Sequence, residues 1–209
     1  GEALDDRELR DLGAYLYATE RSAVREYWFN EHGSYPPDAP ECLAMIWGGK
    51  GVYATWFSAR PEHVAGINLL PVHGGSLYLD LPPAVAQRQW DGLMKRTGQE
   101  LKHWADIFWM ARAMSDPAEA GRLLEAAGPN WKPEAGNSKA NTVHWVRSLM
   151  ELGTVDRSIR ADAPFCAVFR RGNKKTYAAW NLGPNDKTMT FSDGRKVAVP
   201  ARSWRVVSP

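Results

Sequence analysis

The sequence predicts a mainly α fold with a C-terminal antiparallel β meander. Three observations carry that expectation. Apolar residues recur at helical spacing over residues 5–30 and again from residue 82 to about 152. The stretch between these helical regions is broken into short extended pieces by glycine pairs. After about Ala161 the apolar period changes from helical to alternating.

The first helix opens at Asp5-Asp6-Arg7-Glu8, a carboxylate cap with Glu8 three residues beyond Asp5, and Leu9, Leu12, Leu16, Ala23 and Tyr27 define its apolar face. It is expected to end near Asn30, before His32-Gly33-Ser34 and Pro36-Pro37. Residues 43–79 read as a loop-rich rim. Leu43–Trp47 stops at Gly48-Gly49, Val52–Phe57 is rich in β-branched and aromatic residues, and Gly74-Gly75 turns the chain between two further extended pieces. Helices resume at Pro82-Pro83, a fitting first turn, with Val85, Trp90, Leu93 and Met94 on one face. A second is expected over Leu101–Met114, and a third from Asp116-Pro117 to Gly128-Pro129. A polar loop spans Asn130–Asn137, and a fourth helix covers Ser138–Leu152. Successive antiparallel helices of this length suit an α/α toroid or a bundle. Five strand candidates follow at Phe165–Phe169, Thr176–Asn181, Thr188–Phe191, Lys196–Val199 and Trp204–Val207, with two-residue turns expected at Gly172-Asn173 and Asp193-Gly194. Some 45 residues is small for an independent β domain, which favours strands packed on the helices.

Composition narrows the function. The 209 residues carry 26 basic and 24 acidic side chains spread along the length, a net charge of +2, so no phosphate-tracking basic patch is implied and nucleic acid is not expected. No apolar run approaches the roughly 20 residues that span a bilayer. Cys42 and Cys166 are far apart and belong to no metal-spaced cluster, so neither a zinc site nor any other cofactor is expected; buried thiols and a Cys42–Cys166 disulfide are both open. Ten tryptophans are unusual for this length. Most tryptophans pack in cores, yet so many leave several to line a groove, where their faces suit the C–H faces of sugars. Neither a phosphate-binding nor a dinucleotide-binding glycine pattern is present, nor a Gly-x-Ser-x-Gly nucleophile turn.

The segment Met45–Phe57, continued by Pro61–Leu79, resembles the conserved block of glycoside hydrolase family 81 endo-1,3-β-glucanases. The helix with Asp6-Arg7-Glu8-Leu9, Ala18-Thr19-Glu20 and Tyr27-Trp28 is similar to that family's helix upstream of the block. Tyr177–Asn181 and Thr190–Gly194 are similar to the terminal strands of its bacterial members. The resemblance implies a partial (α/α)6 barrel over residues 1–160, with cleft loops at 43–80, and antiparallel strands packed on it over 161–209. It implies a secreted enzyme that cleaves internal β-1,3 linkages of laminarin- or curdlan-like glucans with inversion. The family's Gln-Glu-Ser-Ser-Ser-Glu-like base motif does not occur here, so the catalytic carboxylates are expected upstream of Gly1, in another part of the same polypeptide. The opening Gly1-Glu2-Ala3-Leu4, without initiator Met or signal-like region, agrees with a natural N-terminus elsewhere. Ala65 stands where many members carry a histidine, and any sugar contact made there would be lost.

Inverting hydrolysis needs a carboxylic acid and a carboxylate about 6.5–9.5 Å apart. The candidates are Glu20, Glu31, Asp38, Glu41, Glu62 and Asp80, and none is assigned: solvation or pairing accounts for the first four, Glu62 after Pro61 suits capping of a short helix, and Asp80, ending an extended piece near Gly74-Gly75, is the best of a weak group. Substrate-binding roles fit better. Trp47, Tyr53, Trp56 and Tyr78 offer stacking faces, and Thr55, Asn68, His73 and Ser76 offer hydrogen bonds to hydroxyls. Trp56 suits a buried strand equally well. The partner implied is a β-1,3-glucan; a glucan-binding protein without catalysis is the alternative.

Overall fold

A computed structural model of the chain describes residues 58, 60–66, 69–70, 72 and 83–208. The expected first helix, Cys42 and most of the glycine-rich block lie outside the described residues. Those described fall into two compact units that divide between Met150 and Glu151.

The first unit is helical. Helix α1 (Pro61–Gly66) starts at a proline whose missing N–H costs nothing in a first turn. Helix α2 (Pro83–Thr97) ends where Gly98 turns left-handed (φ 68°) and the Gln99 N–H reaches back 2.8 Å to the Met94 carbonyl. Helix α3 (Ala105–Ala113) is shorter than the expected Leu101–Met114. The turn before it is extended because the Lys102 N–H donates to the Glu62 carboxylate (3.1 Å) and Trp104 takes a left-handed backbone (φ 54°, ψ 28°). Five successive residues of α3, Asp106 to Met110, are buried, which marks it as the central helix of the unit.

Helix α4 (Pro117–Ala126) follows the expected pattern: the Asp116 side chain accepts the Glu119 N–H (3.1 Å), with Pro117 at the first helical position. Buried Arg112 ties three helices, donating to Gln87 of α2 (2.6 Å) and to Asp116 at the head of α4 (3.3 Å). Helix α5 (Lys139–Leu152) is capped by the Ser138 hydroxyl, which accepts the Asn141 N–H at 3.1 Å. It crosses α4 closely enough that a side chain on Gly121 would run into Met150.

The second unit holds six strands: β1 (Thr154–Val155), β2 (Cys166–Arg171), β3 (Lys174–Asn181), β4 (Lys187–Thr190), β5 (Lys196–Val199) and β6 (Ser203–Val207). Its first strand thus lies upstream of residue 161. The expected single meander is corrected here: β1-β2-β3-β6 form one antiparallel sheet and β4-β5 a separate hairpin. Asn181 explains the departure. Its amide nitrogen donates to the carbonyls of Asn185 (2.8 Å), Val199 (3.2 Å) and Pro200 (3.1 Å), while its oxygen accepts the Gly183 N–H (3.0 Å). Those bonds fold the 182–186 connection over, so the chain leaves the first sheet after β3 and re-enters it only at β6. Tyr177, Ala179 and Val168 from one sheet pack against Met189, Val197, Val199 and Phe191, forming the core.

The Gly172-Asn173 turn is the expected two-residue connection, with Arg171 opposite Lys174 and positive φ (59°) at Gly172 alone. The Asp193-Gly194 turn differs. The Gly194 N–H donates to the Phe191 carbonyl (2.9 Å) and the Phe191 N–H to the Arg195 carbonyl (2.8 Å), so three residues form the loop. Left-handed Gly194 (φ 87°) ends it as a bulge, restoring the twist that an ordinary turn would oppose.

Candidate functional site

Two histidines and a tryptophan meet where α1 packs beside the extended turn before α3. His63 stacks on Trp104 at 4.5 Å between ring centroids, and His103 meets His63 edge-on at 5.2 Å. The His63 Nδ1 is 2.9 Å from the Ser58 hydroxyl. Burial lowers the His63 pKa first, and the neighbouring His103 and Arg60 charges lower it further. These influences favour the neutral imidazole of His63, which can exchange hydrogen bonds with hydroxyls.

The backbone around this cluster is built for close approach. A Cβ on Gly66 would sit 2.9 Å from the Trp104 ring and 3.3 Å from Phe108. Below lie buried Ala65, Leu93 and Phe108, with Trp90, Met94 and Leu101 against them. Ala65, at the position where the resemblance expects a histidine, faces this apolar cluster. Glu62 is buried and binds the Lys102 N–H, which makes it a clamp between α1 and the turn before α3 as well as an acid in a helix's first turn.

A second polar group underlies the helices. Asp106, fully buried, accepts the Glu134 N–H with both oxygens (3.1 and 3.0 Å) and the Asn137 amide (2.6 Å). Asn137 also donates to Thr142 (2.9 Å), and the Trp145 indole to the Met110 carbonyl (2.9 Å). Every contact of this network is internal, so it holds the 130–137 loop in place. Beside that loop, an open depression of about 390 Å³ lies between α4 and α5. Trp131, Glu125, Lys139 and Arg147 line it over an apolar floor, with the Lys139 ammonium 5.3 Å from the Trp131 ring centre. Among the described residues, no group of three His, Cys, Asp or Glu is placed to hold a metal ion.

The eight residues assigned to substrate from the sequence, Trp47, Tyr53, Thr55, Trp56, Asn68, His73, Ser76 and Tyr78, all lie outside the described residues. Sequence reasoning missed the His63–Trp104 stack and the role of Asp106. Pro61-Glu62-His63 and His103-Trp104 each pair histidine with a neighbour able to pack or pair, but nothing in spacing joins segments 40 residues apart.

Comparison with known proteins places this chain among the glycosyl hydrolases. Residues 1–146 match the family model described as the glycosyl hydrolase family 81 C-terminal domain. A glucan endo-1,3-beta-D-glucosidase of Thermobifida fusca is 43% identical over 96% of this chain, and one of Acetivibrio thermocellus is 36% identical over 99%. The chain spans 27% of the length of each of these relatives. The structure of a mutant glycoside hydrolase family 81 protein from Clostridium thermocellum superposes with a TM-score of 0.85 at 36% identity, over 100% of this chain and 29% of that one. The chain belongs to glycoside hydrolase family 81.

Proposed function

We propose that these residues form part of an endo-1,3-β-glucanase, contributing barrel helices and substrate subsites to a cleft completed elsewhere in the same polypeptide. The observation that carries this reading is the 43% identity, over nearly the whole chain, to a protein named for that activity. In this reading residues 1–160 belong to an (α/α)6 barrel, and residues 161–209 are strands packed on it. The 43–80 loops meet glucan through Trp47, Tyr53, Trp56 and Tyr78, helped by Thr55, Asn68, His73 and Ser76. The enzyme acts outside the cell on laminarin- or curdlan-like glucans.

The hydrolysis is an inversion. An acid protonates the departing glycosidic oxygen while a carboxylate base draws a proton from the attacking water. In this reading both carboxyl groups belong to the upstream part, as the missing family base motif implies, while Glu62, bound to the Lys102 N–H, and Asp106, bound to Glu134 and Asn137, serve the fold. The His63–Trp104 stack anchors α1, the helix that in sequence immediately precedes Asn68, His73, Ser76 and Tyr78 of this reading.

Digestion of laminarin by the full-length polypeptide tests the proposal. Internal cleavage with inverted anomeric configuration, followed by NMR, is expected. A folded polypeptide inert on every β-1,3-glucan overturns it. Saturable binding of laminarioligosaccharides without cleavage would leave a glucan-binding protein.

A further inference from the structure

Trp104 holds a backbone conformation that aromatic residues rarely take. Its φ of 54° and ψ of 28° lie in the left-handed region, so the residue is strained and stays there only because its surroundings require it. Capping of α3 is not the reason, since the Trp104 side chain makes no cap hydrogen bond. What the conformation achieves is a placement of the ring. The indole lies on His63 at 4.5 Å between centroids and fills the space over Gly66, where a Cβ would meet it at 2.9 Å.

Helix α1 depends on that ring. Its six residues are too few to hold a helix in water unaided, so tertiary contacts set its place. The turn before α3 grips it at both ends: Glu62 accepts the Lys102 N–H at 3.1 Å, and Gly66 lies under the indole. Past Gly66 the chain is still seated. The Leu69 N–H donates to the Gly66 carbonyl (2.9 Å), Leu69 packs on the same Ala65–Leu93–Phe108 cluster as Trp104, and Val72 is buried. In sequence Asn68 directly precedes Leu69 and His73 directly follows Val72. Two residues assigned to sugar thus adjoin backbone whose seating involves the indole.

We propose that Trp104 is a positioning residue for glucan binding: its strained backbone seats the indole on His63 and Gly66, and through α1 the indole fixes the chain that carries Asn68 and His73. This role rests on the glucanase reading and adds to it a residue outside the resembling block of residues 45–79. Filling the core alone would not need the left-handed backbone, because an aromatic ring packs equally well from an unstrained one.

Steady-state kinetics of the full-length polypeptide on laminarin test it. Trp104→Gly keeps the left-handed backbone without strain and removes the ring. Trp104→Phe keeps a ring, and Asp106→Ala loosens the same helical unit through the 130–137 loop instead. In Trp104→Gly, KM is expected to rise about tenfold, what the loss of roughly one sugar hydrogen bond produces, with kcat within about twofold. Trp104→Phe should return KM to within about threefold of the unsubstituted value, and Asp106→Ala should leave it unchanged. Gly66→Ala, which displaces the ring without removing it, should raise KM in the same way and supplies the result if Trp104→Gly does not fold. The proposal is overturned by an unchanged KM, by a fall in kcat alone, by a Trp104→Phe variant as impaired as Trp104→Gly, or by an equal rise in Asp106→Ala. Laminarin cleavage by the unsubstituted polypeptide is measured first. An inert polypeptide overturns the glucanase reading and this role together, whereas an active one with a KM indifferent to the ring overturns this role alone.

Discussion

Tyr177 donates its phenolic hydrogen to the Asp193 carboxylate at 2.6 Å, and the Lys175 ammonium binds the same oxygen at 2.9 Å. Together they join the β3 strand to the turn of the β4-β5 hairpin. The Tyr177 bond first, and the Lys175 bond next, hold the Asp193 carboxyl down at about 2. An unfolded aspartate titrates near 3.9. The unfolded chain therefore binds the proton first as pH falls, and stability drops in that interval. Urea midpoints should be flat with respect to this group above about pH 5 and fall between about pH 4 and pH 2. Asp193→Asn should lower the midpoint at pH 6 and flatten the acid slope; an unchanged slope would refute the linkage.

His63 titrates with the same sign for a different reason. Burial disfavours its cation, with His103 and Arg60 adding repulsion, so its folded pKa lies below the ordinary value. The unfolded chain again binds the proton more readily, and the stabilisation present at pH 7 is lost as pH falls through the histidine range. NMR titration of the ring should place His63 below the free imidazole. Replacing Arg60 with glutamine should move it upward; no movement would remove Arg60 as a cause.

Asp106→Ala should destabilise the helical unit by about 3 kcal/mol, because the buried Glu134 N–H and Asn137 amide lose their acceptor together. Chemical denaturation measures the loss. A change under 1 kcal/mol would mean that water replaces the carboxylate without strain.

Gly66→Ala should cost about 1–3 kcal/mol through overpacking, since the new methyl lands against Trp104 and Phe108. Trp104 cannot swing away freely, its backbone already being left-handed. Paired with Trp104→Leu, the same substitution should be closer to neutral, and a double-mutant cycle reads that coupling.

The helices from α2 onward were legible because their signals are local. Asp116-Pro117 opens α4 and Ser138 opens α5 within a residue of expectation, and Gly128 follows α4 in left-handed geometry. The five strands expected from alternation each have a counterpart. The departures come from contacts that no window of neighbouring residues contains. Leu101–Trp104 reads as helix by pattern, yet the Glu62 clamp on the Lys102 N–H and the left-handed Trp104 backbone keep it out of the helix. Thr154–Val155 is too short to show a period and becomes a strand only by pairing with Phe169 and Arg170. Asp106 reads as one more surface acid on a helix; its burial depends on a loop 28 residues away. The sugar-facing residues assigned from the block lie outside the described residues.

Asn181 sets the length of the link it closes. Because one amide group spans carbonyls on both sides of the excursion, adding or deleting a residue between Gly183 and Asn185 would shift one set of acceptors out of reach while leaving the other in place. That short connection is thus a poor place to graft a peptide tag, whereas the Gly172-Asn173 hairpin tip, exposed and with open space around its glycine, would accept one.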